Sequence, residues 1–415
     1  MSARIVVLGG GTGGTLAANR LRRRLGNDAS ITVVDRDDHH IYQPGLLFVP
    51  FGLTHVKDIV RPRRRQLHRG VGFVRAAVDS VDIEERRVRL DGGYSLDYDA
   101  LVVASGAVLV PEETEGLTGP GWMENVFTFY TPEGASALEA SLATFEGGRL
   151  AVAVVDMPIK CPVAPLEFCF LADWYFRQRG IRDRVEISYV TPLDGAFTRP
   201  VAARTLGGML EERGIGLVTE FNTGTVAGDE GRLVSFDERE VGFDLAVVVP
   251  LHAGAPYVGR SPGLGDDLNF VPTDERTLRS KAAPDVFVIG DAANLPASKA
   301  GSVTHFEGET LVENVVRHLD GRPLVEGFDG HANCFIETGF HKAMLIDFNY
   351  DQEPVPGRYP GAVGLPLLKE SRLNHLGKLL FEPAYWHALL PGRELPGITS
   401  SMPAGGKRLP ANTKE

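Results

Sequence analysis

The sequence predicts an α/β protein with two Rossmann-like dinucleotide-binding units and a membrane-associating C-terminal segment. A short apolar strand runs into a glycine-rich loop near the N-terminus, a second strand–loop–helix pattern lies near residue 150, and a later strand ends in Gly290 and Asp291. We expect residues 1–110 and 251–325 to form the first unit, residues 111–250 the inserted unit, and residues 326–415 a C-terminal domain.

The composition excludes some classes of function. The 415 residues carry a net charge of -11 at pH 7 without a sustained basic face, so we expect no nucleic acid partner. Residues 61–65 (RPRRR) are interpreted as a solvated loop or helix start. The N-terminal apolar run leads into glycines, and no stretch approaches the roughly 18 to 20 apolar residues of a membrane span. We therefore expect no signal peptide and a peripheral location on the cytoplasmic side of the membrane.

The N-terminal glycine-rich loop is typical of dinucleotide binding. Gly9, Gly11 and Gly14 form a G-x-G-x-x-G pattern in which the glycines allow the turn, the approach of a pyrophosphate and the packing of helix on strand. Asp35 ends the next apolar strand, where it can bind ribose hydroxyls. An acidic residue here favours an unphosphorylated ribose, so the pattern indicates FAD or NAD rather than NADP.

Two later segments favour FAD over NAD. The apolar strand and turn that lead to Gly106 are of the kind that closes the first half of an FAD-binding unit. The strand that ends in Gly290 and Asp291 provides a carboxylate for the ribityl or phosphate end of the cofactor. A helix predicted over residues 302–319 follows, and its N-terminus can face an anion or the flavin.

The inserted unit lacks glycines where a second nucleotide would bind. Its first strand is followed by residues 157–161 (MPIKC), and a proline-rich loop cannot bring its backbone against a pyrophosphate in the same way. We therefore expect an electron donor other than a pyridine nucleotide. Cys161 lies between the strand and a helix, and we expect that helix and Lys160 to lower the pKa of its thiol. Cys169 falls within the helical pattern and is interpreted as a core residue.

The last amphipathic stretch, residues 367–391, permits two interpretations. Its leucines and Trp386 form an apolar stripe against a polar stripe that includes His375 and Lys378. The segment could pack on the body of the protein. Alternatively, it could lie in the membrane interface, with its cations near headgroups and Trp386 at the boundary. The second interpretation is favoured.

Taken in order, the motifs resemble those of the sulfide:quinone oxidoreductases, and the likeness covers nearly the full chain. The first motif is the N-terminal glycine loop. The others are residues 159–165 (IKCPVAP), similar to the family's K-C-x-x-A-P; Gly290 and Asp291 with residues 295–301 (LPASKAG), which include Lys299 and Gly301, similar to its G-D…P-x-S-K-x-G; and residues 334–339 (CFIETG), similar to its C-x-x-x-T-G. Residues 385–387 (YWH) and 392–393 (GR) also look like the family's C-terminal segment.

The resemblance implies FAD-dependent oxidation of sulfide to sulfane sulfur or polysulfide, with electron transfer to a membrane quinone. HS⁻ would attack a disulfide or trisulfide that bridges the catalytic residues Cys161 and Cys334, and the sulfane sulfur would stay on these cysteines. The electrons would pass through FAD to a quinone at the opposite face of the flavin ring. Candidate residues on the quinone side are Phe335, Ile336, Phe381 and Trp386.

One departure from the family concerns the cofactor. Many members carry a third cysteine in the segment that matches residues 124–131, and this chain has none there. We therefore expect FAD to bind non-covalently. Membrane association is expected to be peripheral (monotopic), and a homo-oligomer would strengthen the binding of one short amphipathic stretch. No metal site is expected. Glu167, His305 and His331 are candidates for proton handling, although such residues more often have a structural role.

Three other functions remain open. The flavoprotein subunit of a flavocytochrome c sulfide dehydrogenase has a similar fold and similar cysteines, but such subunits are exported and no export signal is evident. A type II NADH:quinone dehydrogenase would keep the quinone end, and the missing second glycine loop argues against it. A non-enzymatic flavin or persulfide redox sensor would store sulfane sulfur on Cys161 and Cys334.

Overall fold

Two parallel sheets dominate the computed structural model, which describes residues 2–393 and 399–408. Numbered along the chain, the strands are β1 Ala3–Leu8, β2 Ala29–Asp35, β3 His39–Ile41, β4 Val60–Pro62, β5 Val71–Arg75, β6 Val78–Asp82, β7 Arg87–Leu90, β8 Ser95–Asp97, β9 Ala100–Val103, β10 Ala107–Leu109, β11 Val126–Phe127, β12 Gly148–Val154, β13 Val185–Val190, β14 Ile215–Val218, β15 Thr223–Ala227, β16 Arg232–Ser235, β17 Glu240–Gly242, β18 Leu245–Val249, β19 His252–Gly254, β20 Val271–Pro272, β21 Val286–Val288, β22 Ala293–Asn294, β23 Ala332–Gly339, β24 Lys342–Phe348, β25 Gly357–Tyr359 and β26 Leu365–Leu367. The helices are α1 Thr12–Leu25, α2 Pro132–Thr144, α3 Ala164–Gln178, α4 Pro200–Glu212, α5 Pro256–Gly259, α6 Gly301–Leu319 and α7 Arg372–Ala384, and a π-helical turn, Tyr385–Leu389, follows α7.

The first sheet has the strand order β21-β9-β1-β2-β5, and the second has the order β11-β18-β12-β13-β14. All strand pairs in both sheets are parallel. The strands that lead into the two loops, β1 in the first sheet and β12 in the second, each lie between two strands that come later in the chain, as in a doubly wound fold. Strand β21 joins the first sheet only after the chain has built the second, which is the expected arrangement of an interrupted unit.

Burial on both faces explains why the central strands are almost purely apolar. Residues 150–154 of β12 and all of β18 are buried, because helices or other segments cover each face of a parallel sheet. The largest apolar core contains Val7 of the first sheet, Val152 of the second, Phe168 of α3 and Ile336 of β23. The two units and the C-terminal hairpin therefore share one core, which places α3 and β23 side by side.

The C-terminal part begins with an antiparallel hairpin of β23 and β24, in which Cys334 pairs with Ile346. Helix α7 packs against this hairpin. Its N-terminus is capped by Ser371, whose hydroxyl accepts a hydrogen bond from the backbone amide of Asn374. The hairpin and α7 together bring the second predicted cysteine and the amphipathic stretch to the same side of the protein as α3.

Helix α7 is amphipathic, but its polar face is the inner one. Asn374 is fully buried, and the side chains of Lys378 and His375 are only 12% and 20% exposed. The outer face carries Leu373, Leu376, Leu379 and Leu380, which are between 49% and 57% exposed. The prediction that Lys378 and His375 face membrane headgroups is therefore wrong, because both side chains turn inward to buried carboxylates.

The predicted position of Trp386 at a membrane boundary is also wrong. Trp386 is buried rather than exposed at a boundary, and the guanidinium of Arg61 lies 4.1 Å from the centre of its ring. None of the helices in the described part of the chain has the length and apolar character that a membrane crossing requires.

Candidate active site

The N-terminal glycine loop is shaped to receive a pyrophosphate. A Cβ on Gly9 would lie 2.5 Å from the carbonyl oxygen of Ala104, and one on Gly14 would lie 1.8 Å from that of Gly9, so both positions need glycine for packing. Gly11 has no atom within 4 Å of a Cβ position. Helix α1 starts directly after Gly11 with neither an acidic residue in its first turn nor a side-chain cap. Its amide groups therefore remain available to an anion.

Asp35 lies at the end of β2, beside this loop. Its carboxylate accepts hydrogen bonds from the backbone amide of Gly10, at 2.7 Å, and forms an ion pair with Arg63, at 2.6 Å. Arg63 is buried over Gly10, so the interpretation of residues 61–65 as simply solvated is wrong for this residue. The ion pair fixes the Asp35 carboxylate at the edge of the loop, where a ribose would lie.

The second cofactor segment, residues 290–301, forms a loop that is held in shape by hydrogen bonds within the loop and to α6. Gly290 has a positive φ of 72°, and its amide donates to the buried carboxylate of Glu307 at 2.6 Å. Burial raises the pKa of Glu307 to about 7. The ammonium of Lys299 donates to the carbonyl oxygens of Asp291 and Ala293, both at 2.8 Å. Lys299 therefore holds the loop in shape through its backbone.

The remaining predicted cofactor residues lie around the same space. Gly106 has a positive φ of 69° after β9, and Gly301 opens α6 with nothing within 4 Å of a Cβ position. Burial raises the pKa of Asp291, and the charges of Lys299 and Lys160 oppose this effect. The open positions at Gly11 and Gly301, together with two uncapped helix N-termini, fit a dinucleotide flavin.

The loop that carries Cys161 contacts the second cofactor loop directly. The amide of Cys161 donates to the carbonyl oxygen of Lys299 at 2.6 Å, and the hydroxyl of Tyr130 donates to the carbonyl oxygen of Cys161 at 3.3 Å. Cys161 has a φ of 50°, an uncommon value for a residue other than glycine. The half-buried thiol is thus held on a constrained turn immediately before α3.

Cys161 and Cys334 share one environment, formed by Glu167 of α3 and Lys378 of α7. Burial raises the pKa of Cys161; the charges of Glu167 and Cys334 act in the same direction, and that of Lys378 opposes them. Burial likewise raises the pKa of Cys334 to about 12, again with Glu167 adding to the shift and Lys378 opposing it. Both cysteines are free thiols in this structure.

The prediction that the pKa of Cys161 is lowered is therefore wrong. Desolvation outweighs both a hydrogen bond from the amide of Ala164 and the charge of Lys378. Lys160 is not among the main causes of the shift at Cys161. Burial lowers the pKa of Lys160 itself, and the charges of Asp291 and Cys161 oppose this effect. The cation that acts on the thiols comes from α7, more than 200 residues further along the chain.

A chain of polar contacts links this pocket to the surface. Glu167 is buried, accepts a hydrogen bond from the amide of Glu337 at 2.6 Å, and forms an ion pair with Lys378. Lys378 also donates to the carbonyl oxygen of Phe335 at 3.3 Å. The carboxylate of Glu337 contacts His375 at 2.9 Å. Burial raises the pKa of Glu167, and Lys378 opposes this shift, so this carboxylate is suited to exchange a proton.

The four candidate quinone-side residues do not form a single patch. The ring of Phe335 packs against Gly377 of α7. Ile336, the next residue of β23, is instead buried in the main core together with Cys334. Phe381 is half-buried, with its ring centre 6.4 Å from that of Tyr42, and Trp386 is buried beyond it. Only Phe335 and Phe381 lie along the inner side of α7 near Lys378.

The other candidates have partners other than Glu167 and Lys378. His305 is buried next to Arg20, and burial lowers its pKa to about 3, so it is neutral near pH 7. His331 forms a buried contact with Asp347 at 2.8 Å and stacks on Phe306. Cys169 is fully buried in α3, as the helical pattern predicts. Of the three proton-handling candidates, Glu167 contacts the environment of the cysteines most directly.

Comparisons with known proteins agree with this geometry. Residues 3–155 match the family model described as pyridine nucleotide-disulphide oxidoreductase. Mitochondrial sulfide:quinone oxidoreductases of Dictyostelium discoideum and Mus musculus are 29% and 27% identical to this chain, in each case over 94% of this chain and 86% of the relative. The solved structure of the sulfide:quinone oxidoreductase of Aquifex aeolicus superposes with a TM-score of 0.79 at 20% identity, covering 94% of this chain and 92% of that one. This chain is therefore similar to sulfide:quinone oxidoreductases over nearly its full length, as its motifs indicate.

Proposed function

We propose that this protein is a sulfide:quinone oxidoreductase that binds FAD non-covalently, oxidises sulfide on Cys161 and Cys334, and docks peripherally on a membrane to reach its quinone. The single observation that carries the proposal is the pair of cysteines, one on the turn before α3 and one on β23, around the Glu167–Lys378 ion pair. A sulfide oxidase needs both cysteines.

The chemistry of the cysteines follows from thiol exchange. In the oxidised form, sulfur bridges Cys161 and Cys334. HS⁻ attacks one sulfur of this bridge, forms a new S–S bond and releases one cysteine as a thiolate. When bound, FAD would accept the electron pair that restores the bridge and would pass it to the quinone. One sulfur atom is thereby added between the cysteines for each electron pair removed.

The raised pKa values of the two thiols favour the bridged form of the cysteines over a free thiolate. A buried thiolate is disfavoured, so the released cysteine is a high-energy species that reverts readily to a bonded form. Lys378 is the cation that stabilises this charge when it forms. Lys378 also donates a hydrogen bond to Glu167 Oε1, so a proton lies next to the pocket. The contact between Glu337 and His375 continues this chain of polar groups toward the surface.

Non-covalent binding of FAD is supported by the cysteine inventory. The chain has three cysteines. Two of them lie in the reactive pocket, and Cys169 is fully buried within α3. The glycine loop, Asp35 and the two uncapped helix N-termini provide the contacts that a non-covalent dinucleotide requires.

Peripheral docking is supported by the outer face of α7. It carries four exposed leucines, and Val363, in the loop between β25 and β26, is almost fully exposed as well. A lipid-facing surface here would place the quinone entrance along Phe335 and Phe381, close to Lys378. We propose that this face rests on the cytoplasmic side of a membrane, and that a homo-oligomer would strengthen the contact by presenting more than one such helix.

The test is steady-state reduction of a soluble short-chain quinone by the purified yellow protein under anaerobic conditions. We expect sulfide to support turnover, NADH to give none, and Cys161→Ser or Cys334→Ser to abolish activity. Cys169→Ala is the matched control and should retain it. Turnover with NADH that survives both serine substitutions would instead identify an NADH:quinone dehydrogenase.

A further inference from the structure

The C-terminal segment contacts the FAD loop itself, at a distance from the cysteines. After α7 the chain enters the π-helical turn and then runs along α1; we call residues 385–392 the C-terminal turn. The hydroxyl of Tyr385 lies 2.8 Å from the hydroxyl of Thr12 and 2.6 Å from Nε2 of His40. Nδ1 of His40 lies 3.1 Å from the carbonyl oxygen of Gly10.

The direction of every hydrogen bond in this chain can be assigned. The carbonyl oxygen of Gly10 can only accept, so Nδ1 of His40 carries the proton. Burial lowers the pKa of His40 to about 4, so the ring is neutral near pH 7 and its Nε2 is an acceptor. Tyr385 therefore donates to His40, and Thr12 donates to Tyr385. The chain starts and ends on the glycine loop, and it encloses Gly11 through a residue of the C-terminal turn.

Other contacts hold the C-terminal turn on α1. The side-chain amide of Asn19 donates to the carbonyl oxygen of Leu390 at 2.9 Å, and Arg23 donates to that of Pro391 at 3.1 Å. A Cβ on Gly392 would lie 2.9 Å from Cγ of Arg20, so the backbone packs directly on the helix. The helix whose N-terminus would bind the pyrophosphate is thus covered by the continuation of α7.

We propose that Tyr385 is a positioning residue that couples FAD retention to the docking of the C-terminal turn. This inference rests on the proposed binding of FAD, and it adds a route between the membrane-facing helix and the cofactor. Breaking the Thr12–Tyr385–His40 chain frees the glycine loop. By reciprocity, removing FAD frees the C-terminal turn. Helix α7 is thereby coupled to the cofactor loop through the C-terminal turn and to the cysteine pocket through Lys378.

The test measures FAD release from the full-length holoenzyme without sulfide or quinone, by the recovery of flavin fluorescence after dilution. A single hydrogen bond corresponds to a threefold to tenfold change, so we expect release to be about threefold to tenfold faster in Tyr385→Phe. Tyr359→Phe is the matched control, because the buried hydroxyl of Tyr359 has no hydrogen-bond partner among the described residues. Thr12→Val should resemble Tyr385→Phe, and the double variant should release FAD no faster than the faster-releasing of the two single variants.

Hydrogen exchange of residues 385–392 provides a second readout, which begins with the wild-type protein. We expect removal of FAD from the wild type to speed exchange in the C-terminal turn, and this dependence to be lost in Tyr385→Phe. Equal FAD release in Tyr385→Phe and the wild type, or exchange that is indifferent to FAD, would overturn the inference. Neither readout uses sulfide, so a yellow protein that fails to oxidise sulfide contradicts the proposed function and leaves this inference standing.

Discussion

The carboxylate of Glu167 and the ammonium of Lys378 form an ion pair between residues that are 211 positions apart. Glu167 is on α3, directly after the Cys161 turn, and Lys378 is on α7, beyond Cys334. The pair therefore fixes the relative position of the two elements that carry the chemistry. Its effect on both thiols makes it the electrostatic centre of the site.

Lys378→Met should both destabilise the protein and slow flavin reduction by sulfide. The substitution leaves Glu167 buried without its cation, and breaking a buried pair costs about 3 to 5 kcal/mol. Thermal unfolding and anaerobic flavin bleaching are the two measurements. Lys369→Met, which removes an exposed charge nearby, should change neither. Unchanged stability in Lys378→Met would contradict a buried pair.

Gly11→Ala should release the cofactor without destabilising the apoprotein. The position is open and has a negative φ of -72°, so alanine fits the backbone, but its methyl group would occupy the space of the pyrophosphate. We expect the FAD dissociation constant to rise at least about tenfold, with the free energy of unfolding of the apoprotein unchanged.

Two further glycines serve as comparisons for that experiment. Gly14→Ala should destabilise even the apoprotein, because its Cβ would collide with the carbonyl oxygen of Gly9. Gly208→Ala, within α4 and without neighbours, should leave FAD binding unaffected. If Gly11→Ala binds FAD as tightly as Gly208→Ala does, the dinucleotide does not lie on this loop.

The stability of the protein should fall in acid partly through His252. Burial lowers the pKa of this residue to about 3 from an ordinary 6.5, with the charge of Lys160 acting in the same direction. The unfolded state therefore binds a proton that the folded state does not. The contribution is fully present above pH 6.5 and is lost as the pH falls toward 3, at about 1.4 kcal/mol per pH unit at most.

The variant His252→Asn isolates this effect. An asparagine amide can replace the donor that His252 presents to the carbonyl oxygen of Pro250, and it does not titrate. Stability measured by denaturant at several pH values should show a constant difference from the wild type above pH 6.5 and a shift in favour of the variant below it. A difference that is independent of pH would show that His252 titrates normally.

The outer leucines of α7 should govern membrane binding. Leu376→Ser with Leu380→Ser removes two exposed side chains from the lipid-facing surface and should weaken binding to phospholipid vesicles at least about tenfold in flotation. Leu268→Ser, with a similar exposure at a distant loop, is the control. Equal flotation of all three proteins would contradict docking through α7.

The sequence predicts the flavin loop, the inserted unit and Cys161 because each depends on local chemistry, whereas Cys334 is predicted only from the resemblance of residues 334–339 to a family motif. Glycines, a strand-terminal acid and an unusual loop without glycine are visible without knowledge of the fold. The helix over residues 302–319 differs from α6 by one residue for the same reason.

The electrostatics of the site could not be predicted in this way. The raised pKa of Cys161 reflects burial by distant segments, and Lys378 is a polar residue of an amphipathic helix whose inner face is the polar one. The spacing of His375 and Lys378 by three positions, with Asn374 beside them, was the available signal of a shared inner face. Without the positions of Glu167 and Glu337 it indicated a solvated stripe instead.

The central claim is tested most directly by a single anaerobic turnover with one equivalent of sulfide. The account predicts that one equivalent reduces one flavin and that peptide mass spectrometry then finds the added sulfur between Cys161 and Cys334. The signal should be absent in Cys334→Ser and unchanged in Cys169→Ala. A flavin that stays oxidised with sulfide and is reduced by NADH, with no sulfur gained by either cysteine, would contradict the account.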